Sequence, residues 1–483
     1  MKLSNIIATV GECQVVKMKD LNIDNIFMDS REKVENGLFF CISGARFDAH
    51  SFAPSAIANG AIALVTERAL DIDIPQIVVQ NSRIAMALIS SVFYNSSWKN
   101  MKLVGITGTK GKTTTTYLVK SILETAGYKV GVIGTTGHMI GDRFINAGLT
   151  TPDPIDLHKA FKTMADEKVD YVCMEVSAHA LAMHRLEGIH FETGCYTNLS
   201  QDHLDYFNDM QHYFEAKKIF FSNKWLETCS LNIDEPSTKD ILADLNLPFT
   251  TYGICQNADV AARDIEVQDA GIRFKIRLFG KEEHPVHLQL PGMFNVYNGL
   301  AAASIALNLG IKPSDITKGL EAIRAVPGRA ELLETGTPYK VVLDYSHSPN
   351  ALENILSAMR EFTKKRLIVL FGCGGDRDKL KRPLMGKIAG EMADYSILTS
   401  DNPRTEKPDV ILEEIEKGIK ETQGEYIVIE NRRKAILHAL TMSDAGDIVV
   451  LAGKGHEKYQ EINGVKHPFD EKVVVQELLQ EMK

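Results

Sequence analysis

With 483 residues the chain is too long for a single hydrophobic core and calls for roughly two to four domains. Its 44% hydrophobic and 24% charged residues are those of a folded globular protein, and a net charge of -9 with no long basic run excludes a nucleic-acid footprint. The cysteines, at 13, 41, 173, 195, 229, 255 and 373, are odd in number and contain no C-x-x-C pair. That argues against a disulfide framework or a zinc knuckle and for a reducing, cytoplasmic setting. The start MKLSNIIATVGECQ has no long apolar segment and no run of about 18 apolar residues occurs, so neither export nor a membrane span is expected.

Residues 1–97 read as short strands and turns, with a helical stretch at 53–59 followed by the strand-like AIALVTE. Asp29, Ser30 and Arg31 form a polar cluster after an apolar run; a capped turn is the plainer reading and a ligand contact the alternative. The pattern resets at 96–100. Residues 101–106 then read as a buried strand that breaks at Gly108 and Gly111, and a helical pattern runs from Lys112 to about Ala126, where Gly127 can stop it. This is a phosphate cradle. Glycines let backbone N–H groups turn toward an anion, the helix N-terminus adds its dipole, Lys112 can reach the β- and γ-phosphates and Thr113 can hold Mg²⁺. The general pattern G-x-x-x-x-G-K-[ST] would place a glycine at 106, where the chain has Ile106 with Gly105 one place early; the strand, turn and helix setting carries the assignment.

From 101 to about 326 strands at 130–133, 171–176, 194–198 and 229–233 alternate with helices, which implies a parallel sheet covered by helices. Polar residues gather at strand ends, where an open α/β sheet places its ligands: Thr150, Thr151, Glu175, Ser177, Asn198, Asp202 and His203. Glu175 suits Mg²⁺, which takes few protein oxygens, and a helix cap is its plainer alternative. His203 and Lys217 read on their own as a structural histidine and a solvated lysine. A β-rich piece at 264–290 leads into a helix near Asn295. After 326–329 a second α/β alternation begins, with glycine turns in GCGGDRD and AGKGHE, and the acidic, apolar tail reads as a docked helix. Its strand-end loops carry Arg377, and Asp401, Asn402, Pro403 and Arg404. One such arginine reads as a surface ion pair, whereas two at neighbouring strand ends suit a carboxylate ligand.

DSR, TGTKGKTT, TTPD, MEVSAHAL, NLSQDHLDY, EAKKIF, FNVYN, VPGR, LDYSHSP, GCGGDRDKLKRPLM, SDNPR and AGKGHE follow one another over nearly the whole chain. In this order and spacing they resemble the Mur ligases, which use ATP to add amino acids to the bacterial cell-wall precursor, and among them the members that extend UDP-N-acetylmuramoyl-L-alanyl-D-glutamate. The resemblance implies an α/β protein of three domains: an N-terminal UDP-binding domain (1–97), a central P-loop ATPase domain with a parallel sheet (98–326) and a C-terminal Rossmann-like domain for the amino acid (327–483). It implies a cytoplasmic monomer in peptidoglycan synthesis, in which a carboxylate is converted to an acyl phosphate and attacked by an amine.

Residue by residue, the resemblance assigns Gly108, Thr109, Lys110, Gly111, Lys112, Thr113 and Thr114 to the ATP phosphates, and Asn295, Arg329 and Asp344 to the nucleotide. Glu175 and His203 fall to the Mg²⁺ ions with Thr113, and Lys217 matches a lysine carbamylated by CO₂ that becomes an oxygen ligand to the metal. Ser30, Thr150, Thr151, Ser177 and Arg185 match contacts to the UDP-muramoyl substrate. Met183 stands where some members have glutamine, and Ser346 and Ser348 where alanine and threonine are more usual. Asp401, Asn402, Pro403 and Arg404, with Arg377, Gly453 and Glu457, match the members that add meso-diaminopimelate. Arg404 can hold the second carboxylate that lysine lacks. The alternatives are the same chemistry with L-lysine or another diamino acid, a noncatalytic Mur-like binding protein, and a folylpolyglutamate-synthase-like ligase. The set Lys112, Glu175, His203 and Lys217 disfavours the second, and the DSR and DNPR stretches the third.

Overall fold

The computed structural model describes residues 1–482 other than 45, 46, 147, 255, 256, 269 and 270. Cys255 therefore lies outside the described residues, and the other cysteines are free thiols. No helix among the described residues is long and apolar enough to cross a membrane.

Three sheets follow one another along the chain. The first has five strands, with Asn25–Phe27, Gly37–Phe40, Ala61–Thr66 and Gln76–Val78 parallel and Gln14–Val16 antiparallel at one edge. The second has eleven strands. Seven are parallel, in the spatial order Val260–Gln268, Phe249–Gly253, Leu226–Asn232, Phe191–Tyr196, Lys102–Thr107, Tyr171–Glu175 and Val130–Gly134. The expected parallel sheet is thus present but extended: the antiparallel strands Gly271–Leu278 and Glu282–Leu288 continue one edge, and Gly137–Ile140 and Arg143–Asn146 the other. The third has six strands, parallel except for Glu331–Leu333. A separate hairpin, Tyr459–Ile462 with Val465–Pro468, and the expected terminal helix Glu471–Glu481 follow.

The central strand Lys102–Thr107 is buried on both faces, as an apolar run in a parallel sheet must be. Val104 and Ile106 join Leu118, Val119 and Ile122 in one core, while Leu103 joins Phe161, Met164 and Phe220 in the other. This explains the departure from the general phosphate-loop pattern. Ile106 fills the first core. Gly105 faces the second, where a Cβ would come within 2.6 Å of Phe220 and 3.1 Å of Phe191.

Helix Lys112–Thr125 begins at Gly111, held at φ +87°, and stops at Ala126, with Gly127 at φ +93° beyond it. Four successive threonines are poor helix formers, so packing rather than propensity secures this helix. It lies against Met293–Asn308 and Pro313–Ala322, the latter approaching through Gly319, whose added Cβ would sit 2.4 Å from the Ile122 Cα. Gly319→Ala is therefore expected to destabilise the protein by about 1–3 kcal/mol, because the backbones cannot part without opening the core. A lowered urea midpoint at an unchanged denaturant slope checks this, and an unchanged midpoint refutes the close contact.

Candidate functional site

The chain passes from strand Lys102–Thr107 outward to Val130–Gly134, returns to Tyr171–Glu175 and then crosses to Phe191–Tyr196 on the other side. The strand order therefore reverses beside the carboxyl end of Lys102–Thr107, the place where open α/β sheets bind ligands. A cavity of about 620 Å³ lies there. It is lined by residues 109–114, by Glu175, Asp202 and His203, by Asn298, and by Arg329, Asp344 and Tyr345 of the C-terminal part.

The phosphate loop takes its shape from the neighbouring strand end. Asn198 accepts from the Thr109 N–H through its carbonyl (2.8 Å) and from the Lys110 N–H through its side chain (2.9 Å), while its amide donates back to the Lys110 carbonyl (3.1 Å). The Thr197 hydroxyl donates to that carbonyl at 2.6 Å. Gly108, at φ +141°, lies so close that a Cβ would stand 1.9 Å from the Thr197 hydroxyl oxygen. No side chain caps the helix that follows, so its first N–H groups open on the cavity.

Four cationic side chains meet here. Lys112 donates to the carbonyls of Gly108 (2.8 Å) and Thr109 (3.0 Å). Loss of water in the cavity lowers its pKa to about 8, with Glu175 opposing and Lys110 adding to the effect. Lys110 pairs with Asp202 at 3.0 Å and reaches Ser348 at 3.2 Å. Burial opposes ionisation of Asp202, but Lys110, His203 and His347 outweigh it and hold the carboxyl well below its usual range. Arg329 donates to the Thr113 hydroxyl (3.0 Å) and lies 4.8 Å over the Tyr345 ring. Lys217 is 1% exposed, one layer behind the lining, 4.1 Å from the Tyr213 ring centre. It forms no ion pair among the described residues. Burial, then Lys112, hold its pKa well below the usual amine value, with Asp202 opposing.

The donor set fits a Mg²⁺ nucleotide. Glu175 is buried at a strand end, its oxygens accepting from the Thr135 N–H (2.9 Å) and hydroxyl (3.0 Å). His203 lies at φ +56° at the cavity edge, and loss of water lowers its pKa, against Asp202 and with the nearby lysines, so the ring presents a neutral donor. Glu175, Thr113 and His203 would offer a metal few protein ligands, which suits a small cation that keeps water and phosphate oxygens. The glycine turn at 108–111 supplies the close backbone approach that phosphate needs.

Most of the expected substrate residues cluster beside Glu175. The Thr151 hydroxyl donates to the Glu175 carbonyl (2.8 Å) and to Ser177 (3.1 Å), Arg185 donates to the Thr151 carbonyl (2.7 Å) and pairs with Asp153 (2.9 Å), and Thr150 meets Thr135 at 3.0 Å. Ser30 is not brought to this cavity. Its carbonyl accepts from Asn59 (2.8 Å), and Arg31 folds back onto Asp29 at 2.6 Å, the capped-turn reading of that cluster. Asn295 is also displaced. It sits behind the lining, where its side chain accepts from Asn298 (2.9 Å) and donates to the Pro291 carbonyl (2.7 Å). Thr135, Tyr345 and Asn298 were missed; the last two lie inside LDYSHSP and FNVYN, the signal that could have found them.

In the C-terminal part Asp401, Asn402, Gly453 and Glu457 gather about a lysine the sequence did not single out. Lys454 is fully buried and lies 3.3 Å from Asp401, 3.0 Å from Asn402 and 3.3 Å from Glu457. Arg404 donates to the Gly375 carbonyl (2.8 Å) and pairs with Glu461 (3.3 Å). Gly375 abuts Pro403, where a Cβ would stand 1.9 Å from the carbonyl oxygen. Arg377 is exposed and donates to the Asp376 carbonyl (3.2 Å), and both it and Arg404 border Gly374, where a Cβ would stand 3.8 Å from Arg377 Cγ and 2.8 Å from Arg404 Nη1.

The chain matches the Mur ligase family catalytic domain over residues 22–94, the Mur ligase middle domain over 106–306 and the Mur ligase glutamate ligase domain over 328–455. It is 43% identical, over the full length of both proteins, to UDP-N-acetylmuramoyl-L-alanyl-D-glutamate–2,6-diaminopimelate ligase 1 of Clostridium acetobutylicum. It is 44% identical to the 2,6-diaminopimelate ligase of Caldanaerobacter subterraneus subsp. tengcongensis, over 96% of each. The chain belongs to the Mur ligase family. A solved 2,6-diaminopimelate ligase shares this Mur ligase's fold with TM-score 0.69 and 33% identity over 95% of both chains. Folylpolyglutamate synthase of Mycobacterium tuberculosis covers 78% of the chain and 92% of its own at 16% identity and TM-score 0.62, a likeness of fold alone. Family membership brings with it the use of ATP and Mg²⁺.

In this Mur ligase, phosphates arriving at Lys112 would favour its ammonium form. Below its pKa of about 8 the lysine is already charged and nucleotide affinity is flat; above it, binding must recruit a proton. The dissociation constant for ADP is therefore expected to rise by up to about tenfold per pH unit above that point. Calorimetry at three pH values checks this through both affinity and proton uptake, and a constant affinity from neutral to alkaline pH refutes it.

Proposed function

We infer that this chain joins meso-2,6-diaminopimelate to the D-glutamate of UDP-N-acetylmuramoyl-L-alanyl-D-glutamate with ATP, in peptidoglycan precursor synthesis. Full-length identity to diaminopimelate ligases supports the reaction. The single structural observation that carries it is the cavity that the phosphate loop, Glu175, Thr150 and Ser177 share with Tyr345 of the C-terminal part, with Arg185 bonded to the adjoining Thr151 carbonyl. A cytoplasmic location, a monomeric state and three domains (1–97, 98–326 and 327–483) go with this reading.

ATP supplies the activating phosphoryl group, needed because a carboxylate is a poor electrophile. The chain's own residues then have definable tasks. Lys112, Arg329 and the free N–H groups of the loop offset phosphate charge. Thr113, Glu175 and His203 are the side chains that would hold Mg²⁺. Arg185, locked by Asp153 and the Thr151 carbonyl, presents a fixed cation to the muramoyl substrate. Tyr345 reaches toward Glu457 at 3.5 Å, which connects the cavity to the loop where the amino acid would bind. There the Glu457 carboxylate, held by the Asn402 amide at 2.8 Å, suits an ammonium group and Arg404 a carboxylate.

Lys217 suits a carbamate. Carbamylation requires a neutral amine, whose nitrogen bonds to the carbon of CO₂ and releases a proton. Burial beside Lys112 and Lys110 provides that form. The product places a negative charge, where a neutral amine stood, beside the cations of the cavity.

Phosphate release with ATP, Mg²⁺ and the muramoyl dipeptide should require meso-diaminopimelate. L-lysine should be at least about 30-fold poorer, since it leaves Arg404 without its carboxylate partner. Equal turnover of lysine would overturn the assignment of Arg404, and the mass of the product identifies the added residue. For Lys217→Met, turnover should fall by about 100-fold or more while ADP binds within about threefold. An amine whose pKa drops on folding must give up its proton to fold, so it penalises stability below the usual amine pKa. The methionine variant should then melt no lower than the parent at neutral pH, and retained turnover would sink the carbamate reading.

A further inference from the structure

The hairpin Tyr459–Ile462 and Val465–Pro468 joins none of the three large sheets, yet it grips the loop 401–404 along its length. Gln460 donates to the Asp401 carbonyl (2.7 Å), and the Glu461 N–H donates to the Asn402 side chain (2.9 Å). The Arg404 N–H donates to the Glu461 carbonyl (3.1 Å), and the Asn463 N–H to the Arg404 carbonyl (2.7 Å). These bonds hold Arg404 at φ +52°, a left-handed conformation that a long side chain rarely adopts without such support.

The side chain is held as firmly as the backbone. The Glu461 carboxylate lies 3.3 Å from Arg404 Nε, and the Gly375 carbonyl accepts from Nη1 at 2.8 Å. Gly375 and its neighbour Gly374 leave the room for this, since a Cβ at 374 would stand 2.8 Å from Nη1. A guanidinium has five N–H groups in a rigid plane. With the Glu461 carboxylate seated against Nε, the side-on approach is blocked, and the Nη hydrogens not used by the Gly375 carbonyl remain for a ligand. The two side chains keep 20% and 24% of their surface exposed, so that end stays reachable.

We propose that Glu461 is a positioning residue for amino-acid selection: it fixes the plane of the Arg404 guanidinium so that the Nη end meets the distal carboxylate of the incoming diamino acid. The inference rests on the reading of Arg404 as receptor for that carboxylate. An arginine already locked in its binding geometry loses less freedom when the ligand arrives, and preorganisation of this kind appears in affinity for the group it serves. Lysine, without a distal carboxylate, gains nothing from it.

The experiment measures steady-state kinetics for meso-diaminopimelate and L-lysine on the full-length enzyme, its Glu461→Ala and Glu461→Gln variants, and Arg404→Ala. In Glu461→Ala the KM for diaminopimelate should rise about tenfold, with kcat at saturation, the KM for ATP and kcat/KM for lysine within about twofold. Glutamine keeps an acceptor for Nε, so its KM should fall between the parent and the alanine variant, which also serves if the alanine variant folds poorly. A purely structural ion pair would instead lower turnover of both amino acids alike, and that result, or an unchanged KM in both variants, overturns the proposal. If Arg404→Ala leaves the diaminopimelate KM unchanged, the reading of Arg404 itself falls; if that variant loses diaminopimelate and the Glu461 variants do not, only the role of Glu461 falls.

Discussion

Asn198 is bonded to both sides of Lys110, and the phosphate loop exists in its open form because of it. With the Lys110 N–H and carbonyl occupied by one side chain and the Thr109 N–H by the Asn198 carbonyl, the turn cannot collapse onto its own backbone. The N–H groups left over are those at the start of the helix, facing the cavity. Thr197 and Gly108 complete the constraint by contact, since no side chain at 108 could coexist with that hydroxyl. The parallel arrangement of the strands Lys102–Thr107, Tyr171–Glu175 and Phe191–Tyr196 brings Glu175 and Asn198 to opposite flanks of the same turn.

The electrostatics follow from that placement. Lys110, Lys112 and Arg329 crowd around a space sized for phosphate, and Lys217 stands behind them. Crowding and loss of water act in one direction on Lys112 and Lys217, lowering both pKa values, and Asp202 is kept ionised by the same surroundings. A cavity in this condition favours anions of high charge, such as the phosphates of a nucleotide.

Much of this was legible along the chain because it is local. The strand, glycine turn and helix at 101–126, the stop at Gly127 and the strand ending at Glu175 are each encoded by residues within a few positions of one another. Where the reading slipped, contacts distant in sequence decided. The strand expected at 194–198 runs from Phe191 to Tyr196, because the polar Thr197 and Asn198 turn to the phosphate loop instead of continuing the ladder. Gly105 looked like a displaced loop glycine but answers to Phe220, far along the chain. The capped turn read at Asp29 to Arg31 is present, and its closure on Asn59 is the part that no periodicity could show. Nothing local in AGKGHE singles out Lys454, which Asp401 and Asn402, far back along the chain, enclose together with Glu457.

The stretch 328–348 touches the phosphate loop twice, through Arg329 on Thr113 and Ser348 on Lys110, and both contacts use groups that phosphate or Mg²⁺ would claim. A nucleotide entering the cavity must compete with the protein's own seam. The same stretch leads through Tyr345 to Glu457, and the His347 carbonyl accepts from Lys381 at 2.7 Å, near the amino-acid loop. The cavity and that loop are thereby joined by a single short segment. Entry of a nucleotide and the placement of the segment that leads toward the amino-acid loop thus depend on the same residues, 328–348.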